Sequence, residues 1–223
     1  DLGGDDFVPK PFDLSVLSAK VRSTLRRCYD FAAPQPVLAH RGAELDTAAL
    51  TDDDTLRATA QQLKAQGVDT IFLEENTGFS GAVNIGIKAA DTPYVILLNN
   101  DTKADEYYVA EMVKAIERSP KIFSVSSRMI QMYHPDLMDD AGDMYCILGW
   151  AYQRGIGQSV KKYRRSRRVF SACAGAAIYR REVFEQIGYF DEMHFAYLED
   201  LDVGYRARIY GYDNVYCPAA VVY

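Results

Sequence analysis

Two groups of acidic and amide side chains in this sequence have the spacing of a reaction centre. Asn99-Asn100-Asp101 directly follows an apolar run at 94–98, and Glu199-Asp200-x-Asp202 begins a segment with helical spacing. Carboxylate and amide oxygens bind hard cations such as Mg²⁺, and a carboxylate can take a proton from a hydroxyl group. Both groups also have structural interpretations, an Asx turn for the first and acids that complement a helix dipole for the second.

The elements that must position these groups alternate along the chain. From Thr51 onward, the pattern predicts an α/β domain with a mostly parallel sheet and helices on both faces. We predict strands at 70–73 and 94–98, and helices at 105–118 and 199–209, the last of them ended by Gly211. Ligands bind beyond the carboxyl ends of such strands, so Asn99-Asn100-Asp101 lies where a site is expected.

Several further motifs occur in a fixed order that resembles the family 2 glycosyltransferases, especially their rhamnosyltransferase-like members. Over residues 52–223 they are Asn76-x-Gly78-Phe79-x-x-Ala82-x-Asn84-x-Gly86-Ile87, Leu97-Leu98-Asn99-Asn100-Asp101-Thr102, Asp140-Ala141-Gly142, Gly175-Ala176-Ala177, Phe190-Asp191-Glu192 and Tyr197-x-Glu199-Asp200-x-Asp202. The resemblance implies a GT-A fold. It also implies transfer of a sugar from a nucleotide diphosphate donor to a hydroxyl acceptor, with inversion, in cell-surface polysaccharide synthesis.

The resemblance also implies a role for each acid. Asp101 would hold Mg²⁺ or Mn²⁺, which neutralises the departing diphosphate. Asn99 stands where family members have the first acid of an Asp-x-Asp motif, so metal affinity should depend more on the bound nucleotide. Asp200 would be the catalytic base, with Glu199 orienting the acceptor or tuning the pKa of Asp200. We expect the positive end of the helix to favour ionised Asp200.

The same resemblance assigns the residues that contact the two substrates. The donor would be contacted by Asn76, Gly78, Asn84, Asn99 and Asn100, and the acceptor by Gly175, Ala176, His194 and Asp202. Several of these have simpler explanations: Gly78 can supply a left-handed turn, Asn84 an ordinary helix hydrogen bond, and Gly175-Ala176 a close-packed core.

The first 45 residues differ in character from the rest. The stretch from Gly3 to Arg27 resembles the last strand and helix of a response-regulator receiver domain, in which Lys10 matches the lysine of a Lys-Pro turn. Residues 30–36 have the composition of a linker, and 37–45 resemble the first strand of a winged-helix effector. A natural fusion, an error in the gene assignment and a deliberate chimera all remain open as the origin of this junction.

We therefore predict two units, a receiver-like fragment with its linker at 1–45 and a GT-A domain at 46–223 that is incomplete at both ends. The usual first strand of that fold is not recognisable, and residues 37–39 are a candidate replacement. A receiver domain also needs an acidic cluster and a phosphoacceptor aspartate on strands earlier than the one before Lys10, and this sequence does not contain those strands, so phosphorelay chemistry is not expected.

Charge and composition exclude one class of partner. The net charge of −6 and pI near 5.1 argue against nucleic-acid binding by the chain as a whole. The basic run Lys161–Arg168 is either a solvated loop or a contact for an anion, namely the donor diphosphate or a lipid phosphate at a membrane surface. Widely spaced cysteines indicate free thiols, and no apolar run reaches about 20 residues. We expect a cytoplasmic protein, with peripheral contact to the inner membrane if the basic run binds lipid phosphates.

Three functions are compatible with these observations. The first is an active transferase that acts on a saccharide or lipid-linked saccharide. The second is a weak or inactive nucleotide-sugar-binding or regulatory module, which Asn99 and the unrecognised first strand would explain. The third is a receiver-linked signalling protein that forms a homodimer through residues 1–45.

Overall fold

A computed structural model of the chain describes residues 36–40, 43–46, 65, 69–73, 76–99, 101–194 and 197–223. The receiver-like stretch with Lys10, the helix-like segment near Leu56 and the candidate donor contact Asn100 lie outside the described residues. Predictions about those three features therefore stay predictions.

The described elements follow one another in the α/β order that the sequence predicts. The strands are β1 (Pro36–His40), β2 (Ala43–Asp46), β3 (Asp69–Phe72), β4 (Tyr94–Asn99), β5 (Ile122–Ile130), β6 (Met138–Asp140), β7 (Asp143–Tyr145), β8 (Ala151–Gln153), β9 (Arg167–Val169), β10 (Ala176–Arg180) and β11 (Asp213–Val222). The helices are α1 (Gly78–Ala89), α2 (Tyr108–Ile116), α3 (Arg181–Ile187) and α4 (Glu199–Ile209), with a 3₁₀ turn at Val160–Lys162.

Most of the strands form a single mixed sheet. Its order is β3-β1-β2-β4-β10-β5-β11-β9, with β6 added beside β5, while β7 and β8 form a separate hairpin. The pairs β2·β4 and β5·β11 are parallel, and the other described pairs are antiparallel. The chain enters β10 at the edge where β4 ends, because Ala176 pairs with Leu98, so β10 must run back antiparallel to β4. The α/β class is confirmed, with a sheet that is mixed rather than mostly parallel.

The segment at 37–45 differs from the single winged-helix strand that we predicted. It forms two antiparallel strands, β1 and β2, and both belong to the main sheet. β2 is the strand beside β4, with Asp46 opposite Asn99, whereas β1 pairs with β3. Residues 37–39 therefore do lie in the sheet, one strand further from β4 than β2. The division into two units at residue 45 stays a prediction.

Apolar side chains cover both faces of the sheet, as alternation along a strand requires. In β4, Val95 and Leu97 pack into one cluster, whereas Ile96 packs into the other. The first cluster receives side chains from α1, α3 and α4, including Ile87, Phe184 and Val203, and the second receives Tyr108, Met112 and Ile116 from α2. Burial of each large apolar side chain contributes about 2 kcal/mol, so both faces hold the sheet rigid beneath the candidate site.

The end of α4 and the start of α2 follow from local chemistry. α4 has the predicted bounds, and Gly211 just beyond it has a φ of +87°, which favours glycine. α2 begins later than the predicted start at Asp105. There the Asp105 carboxylate accepts a hydrogen bond from the Tyr107 N–H (3.1 Å), and the Asp105 carbonyl accepts one from Tyr108 (3.0 Å). Asp105 therefore forms the turn that precedes the helix.

Candidate functional site

The carboxyl ends of the central strands meet at one edge of the sheet. β4 and β5 run in the same direction, because each pairs antiparallel with β10 between them. At the end of β4, the Asn99 N–H donates to the Gly175 carbonyl over 2.9 Å. At the end of β5, Met129 pairs with Asp140 of β6. The Ala174 N–H, one residue before Gly175, donates to Oδ2 of Asp200 over 3.0 Å. Asn99 and Asp200, one residue from each predicted reaction centre, are therefore held at the edge where ligand binding was expected.

Gly175 and Ala176, the two small residues predicted to face the acceptor, have different surroundings at the start of β10. Gly175 is half-buried, and a Cβ atom there would lie 3.5 Å from the side-chain nitrogen of Asn99, an ordinary van der Waals contact. Ala176 is fully buried among apolar side chains beside α2. The close-packed interpretation therefore describes Ala176, and acceptor contact by its side chain gains no support. Gly175 stays a candidate for the acceptor side.

The loop before α1 holds two of the predicted donor contacts. The Asn76 carbonyl oxygen Oδ1 accepts a hydrogen bond from the Gly78 N–H over 2.8 Å, and Gly78 has a φ of +70°. Gly78 therefore does supply a left-handed turn. Among the described residues, the buried Nδ2 of Asn76 has no hydrogen-bond partner. An unpaired buried donor costs about 1–3 kcal/mol, so this amide is available to an acceptor atom of a ligand.

Asn84 ties α1 to the loop that leads toward α4. Its Nδ2 donates to the Phe190 carbonyl (2.8 Å) and to Oε1 of Glu192 (3.1 Å), and its Oδ1 accepts from the Phe190 N–H (3.0 Å). Nearby, the Ser80 hydroxyl donates to the carbonyl of half-buried His194 (2.8 Å). Asn84 is therefore a cross-link between two elements rather than a helix hydrogen bond, and its amide is fully used within the protein.

A cluster of buried acids surrounds the start of α4. The ligand atoms of Asp143, Cys173 and Asp200 all lie within 4.8 Å of one another. Asp140 is fully buried, and its Oδ1 accepts a hydrogen bond from the Gly142 N–H over 2.6 Å. Oδ2 of Asp140 and Oε2 of Glu199 are buried without hydrogen-bond partners among the described residues. We call Asp140, Asp143, Glu199 and Asp200 the acid cluster.

Burial holds protons on the acid cluster at higher pH than usual. Desolvation, and then the charge of Asp200, raise the pKa of Glu199 to about 7. Desolvation likewise raises the pKa values of Asp140 and Asp143, and repulsion between neighbouring carboxylates adds to the effect. Burial also raises the pKa of Asp200, against hydrogen bonds from the backbone N–H groups of Ala174 and Leu201. The backbone N–H groups at the helix end do lower the pKa of Asp200, as expected, but desolvation outweighs them, so the net shift is upward.

Asp202 lies outside the acid cluster. Its Oδ2 accepts from two nitrogens of Arg206, at 2.7 and 2.9 Å, and the same guanidinium donates to the carbonyls of Gly188 (2.9 Å) and Tyr189 (2.7 Å). This ion pair joins α4 to the end of α3, which is a structural role. Acceptor contact by Asp202 therefore gains no support from its observed partners.

The structure adds three groups that the sequence analysis did not assign to the site. Asp140 was noted only as part of a motif, Asp143 was not considered, and Cys173 was counted only as a free thiol. The available signal was two aspartates flanking a tight turn, in which Gly142 has a φ of +93°. A Cβ atom on Gly142 would lie 2.6 Å from Cγ1 of Val169, so glycine is also required sterically.

The backbone is strained immediately before the acid cluster. Tyr197 and Leu198 have φ values of 72° and 69°, which L-residues other than glycine rarely adopt. Each such residue costs on the order of 1–3 kcal/mol, and strain of this kind concentrates at functional sites. The two residues directly precede α4, in which the Asp200 carboxylate lies beside Cys173 and accepts from the Ala174 N–H.

A cleft of about 440 Å³ lies beside the acid cluster. Its lining includes Tyr145, Phe170, Arg168 and Arg208. The rings of Tyr145 and Phe170 have centroids 5.2 Å apart, and Phe170 stacks on Tyr205 of α4 at 5.7 Å. The Phe170 N–H donates to the Asp143 carbonyl over 3.0 Å, so one wall of the cleft is bonded to the backbone of the cluster. The four acids of the cluster are not among the residues that line the cleft.

Two sets of side chains offer ligand atoms for a divalent cation. Asp101 is exposed beyond β4, and together with the amide oxygen of Asn99 it offers the hard oxygen ligands that Mg²⁺ or Mn²⁺ prefers. These residues fit such an ion if diphosphate oxygens and water complete its coordination. The set Asp143, Cys173 and Asp200 includes a thiol, a softer ligand that fits Mg²⁺ poorly. Asp101 is not part of that set.

The last two residues of the basic run lie at the far edge of the sheet. Arg167 and Arg168 belong to β9, which is four strand spacings from β4, or roughly 19 Å. Contact between these two arginines and a diphosphate near Asn99 is disfavoured by that distance. In the described part of the chain, no helix is both long and apolar enough to cross a membrane.

Comparison with known proteins agrees with this geometry. The family model described as "Glycosyl transferase family 2" matches residues 18–188, a range that begins within the receiver-like segment. The chain is 30% identical over 173 residues to N-acetylglucosaminyl-diphospho-decaprenol L-rhamnosyltransferase of Mycobacterium tuberculosis, covering 66% of this chain and 55% of that protein. It is 23% identical over 172 residues to poly-beta-1,6-N-acetyl-D-glucosamine synthase of Staphylococcus epidermidis, covering 77% and 40%.

Solved structures share the fold at lower identity. The structure of GalNAc-T7 with UDP, GalNAc and Mn²⁺ matches with a TM-score of 0.62 at 14% identity, over 80% of this chain and 36% of that one. The mannosyltransferase PcManGT from Pyrobaculum calidifontis, in complex with GDP-Man and Mn²⁺, matches with a TM-score of 0.53 at 17% identity, over 80% and 45%. The expected GT-A fold is confirmed. The chain spans 40% to 55% of the length of the two curated relatives described above.

Proposed function

Because the chain belongs to glycosyl transferase family 2, we propose that it transfers a sugar from a nucleotide diphosphate donor to a hydroxyl group of a saccharide or lipid-linked saccharide. One relative is named as a poly-beta-1,6-N-acetyl-D-glucosamine synthase and another as a rhamnosyltransferase for N-acetylglucosaminyl-diphospho-decaprenol. These two activities support both the proposed reaction and the proposed class of acceptor. We place this activity in the cytoplasm, at the inner surface of the membrane, in cell-surface polysaccharide synthesis.

One observation carries this proposal: two adjacent residues fix both predicted reaction centres. The Gly175 carbonyl accepts from the Asn99 N–H over 2.9 Å, and the Ala174 N–H donates to Oδ2 of Asp200 over 3.0 Å. Consecutive Cα atoms are about 3.8 Å apart, so the end of β4 and the proposed base are bonded to neighbouring points of one segment. A site for displacement at an anomeric carbon requires this proximity.

Asp200 is the proposed catalytic base. An ionised carboxylate in this position removes the proton from the acceptor hydroxyl as the oxygen attacks the anomeric carbon and the bond to the diphosphate breaks. Attack opposite the leaving group inverts the configuration. Burial raises the pKa of Asp200, so its carboxylate, once ionised, is a stronger base than a solvated one. Glu199, whose pKa is also raised, is proposed to orient the acceptor.

The donor is proposed to bind along the loop before α1 and the end of β4. Unpaired Nδ2 of Asn76 and the backbone at Gly78 would face the donor, and Asn99 with Asp101 would hold Mg²⁺ or Mn²⁺. When bound, such an ion neutralises charge on the departing diphosphate. The two fold neighbours were solved with a nucleotide or nucleotide sugar and Mn²⁺, which supports this class of donor and cation.

A weak or inactive nucleotide-sugar-binding module is the second candidate. It is favoured by the amide of Asn99 in place of an acid and by the exposure of Asp101, which lies outside the buried ligand cluster. Such a module would bind nucleotide and metal without turnover. The receiver-linked signalling alternative rests on residues outside the described part of the chain.

Calorimetry tests the donor site directly. Binding of UDP, GDP, dTDP and CDP is measured with and without Mn²⁺, and the best case is repeated with Asp101→Ala. We expect metal-dependent binding that this variant weakens at least tenfold. Glu106→Ala is the matched control, because it removes an exposed acid from the same loop without touching the proposed ligands. If no nucleotide binds, or if Asp101→Ala and Glu106→Ala behave alike, the proposed donor site is wrong.

A further inference from the structure

The β7–β8 hairpin ends in an exposed apolar turn. We call residues 146–150 the hairpin tip. Within it, the Cys146 N–H donates to the Trp150 carbonyl and the Gly149 N–H to the Cys146 carbonyl, both over 3.0 Å. Ile147 is 100% exposed, Leu148 81% and Trp150 60%. Single exposed apolar residues are ordinary, but a contiguous apolar group on a projecting turn marks an interaction surface.

The base of the hairpin is fixed to the body of the protein. Tyr145 at the end of β7 packs on Phe170, with centroids 5.2 Å apart, and Phe170 stacks on Tyr205 of α4. Beyond β8, the Arg154 guanidinium lies over the Tyr163 ring at 4.8 Å. The tip is therefore held outward by a packed support, and its apolar side chains do not fold back into the core.

Positive charge lies next to this hairpin. The basic segment, residues 161–168, contacts the hairpin base through Tyr163, and Arg168 lines the same cleft as Tyr145. Arg168 pairs with Asp213 over 3.0 Å. Within the described ranges, no other lysine or arginine of the basic segment forms an ion pair with an acid. Since the whole chain carries a net charge of −6, this positive patch is local.

We propose that the hairpin tip inserts into an anionic phospholipid surface while the basic segment binds the lipid phosphates. Interfacial binding combines shallowly buried apolar side chains with cations that attract anionic headgroups, and tryptophan is favoured at the interface between headgroups and hydrocarbon. A protein partner commonly buries about 800 Å² on each side, more than these few side chains offer. A lipid surface requires no matching partner shape.

Docking to the lipid surface does not depend on the proposed sugar transfer. If the protein does transfer sugars, as proposed, docking also determines where its acids lie relative to the lipid. Asp143 of the acid cluster begins β7, three residues before the tip, so the cluster lies roughly 10 Å from the tip along the strand. A docked protein would hold its acids near the lipid surface. The hydroxyl of a lipid-linked acceptor would be found at that depth.

Trp150 is the only tryptophan in the sequence, so its fluorescence reports on the tip alone. The emission of the 223-residue chain is measured during titration with phosphatidylglycerol–phosphatidylcholine vesicles and with pure phosphatidylcholine vesicles, without any sugar donor. We expect a blue shift and quenching by brominated lipid with the anionic vesicles only. Unchanged emission with anionic vesicles would overturn the proposal. A shift that depends on protein concentration without vesicles would overturn it in favour of self-association.

Variants separate the two contributions. Ile147→Ser with Leu148→Ser removes exposed apolar groups and leaves Trp150 as the probe, and Arg164→Glu with Arg165→Glu reverses exposed charges. Each pair is expected to weaken vesicle binding at least tenfold in co-sedimentation. Tyr133→Ser and the pair Arg118→Glu with Lys121→Glu make matched changes at exposed positions elsewhere. Equal losses in these controls would contradict the proposed surface.

Discussion

The backbone N–H of Ala174 donates a hydrogen bond to Oδ2 of Asp200 across 3.0 Å. The next residue along the chain, Gly175, accepts the N–H of Asn99 at the end of β4. One short segment between two strands thus orients the proposed base and anchors the donor strand. Both groups depend on the position of this segment, so its displacement should affect donor binding and proton removal together.

The buried carboxyl of Glu199 makes stability depend on pH. Its pKa is raised from 4.5 to about 7, chiefly by desolvation, so the folded state binds a proton more tightly than the unfolded state. This contribution to stability is fully present below the unfolded pKa and is lost as pH rises through about 7. In Glu199→Gln, which stays neutral, we expect unfolding free energy to rise relative to the unaltered chain between pH 5 and pH 8, by on the order of 3 kcal/mol.

Urea denaturation of both chains at the two pH values measures this difference. Glu182→Gln, an exposed acid in the first turn of α3, is the control and should show little change with pH. A constant difference between Glu199→Gln and the unaltered chain at both pH values would contradict a buried carboxyl with a raised pKa.

The cross-link between α1 and the 190–194 loop should have a graded energetic cost. Asn84→Ala removes three hydrogen bonds and leaves buried backbone groups at Phe190 unpaired, so we expect a loss of about 3 kcal/mol. Ser80→Ala removes the single bond to His194 and should cost about 1 kcal/mol. Thermal or urea unfolding measures both values. Equal costs for the two variants would show that Asn84 does not hold the loop.

Metal affinity should respond to an acid at position 99. Asn99→Asp adds a second carboxylate near Asp101, so we expect Mn²⁺ to bind at least tenfold more tightly in the absence of nucleotide. The gain should shrink when a nucleotide diphosphate supplies its own oxygens. Titration calorimetry of Mn²⁺ with and without nucleotide measures it. An unchanged affinity would place the cation elsewhere.

Gly142 should be intolerant of any side chain. Gly142→Ala places a Cβ atom 2.6 Å from Cγ1 of Val169 in a residue whose φ is +93°. We expect a destabilisation of about 2–3 kcal/mol from the steric contact and the backbone strain. Gly157→Ala has a comparable φ of +67° but open space around its Cβ, and it should cost less. Equal melting temperatures for the two variants would contradict the tight turn that places Asp140 and Asp143.

The parts of the fold with strong local signals could be predicted from the sequence. The bounds of α4 followed from acids at its start and Gly211 beyond its end, and β4 followed from an uninterrupted apolar run. The mixed pairing could not be predicted, because the placement of β10 between β4 and β5 depends on contacts far apart in the chain. The antiparallel pair β1 and β2 was not predicted, because the sequence at 37–45 was interpreted as a single strand.

Only those residues of the candidate site that have a local sequence signal could be predicted. The position of Asn99 at the end of β4 and of Asp200 at the start of α4 followed from the motifs and from local pattern. Asp140 and Asp143 join Asp200 only through the folding of the 131–175 segment, which no local pattern reveals. The separation of Asp202 from the cluster depends on its ion pair with Arg206, which binds the carbonyls after α3, and this tertiary contact has no local signal.

The role of Asp200 as the base is the central claim, and the most direct measurement compares turnover in the unaltered chain and in Asp200→Asn. Release of nucleotide diphosphate is followed with the donor whose nucleotide binds, in the presence of Mn²⁺ and a saccharide or lipid-linked acceptor. The asparagine keeps the size of the side chain and an oxygen to accept from Ala174. We predict unchanged nucleotide affinity and turnover reduced at least 100-fold, as expected for loss of a general base. Equal turnover in the two proteins would contradict the account.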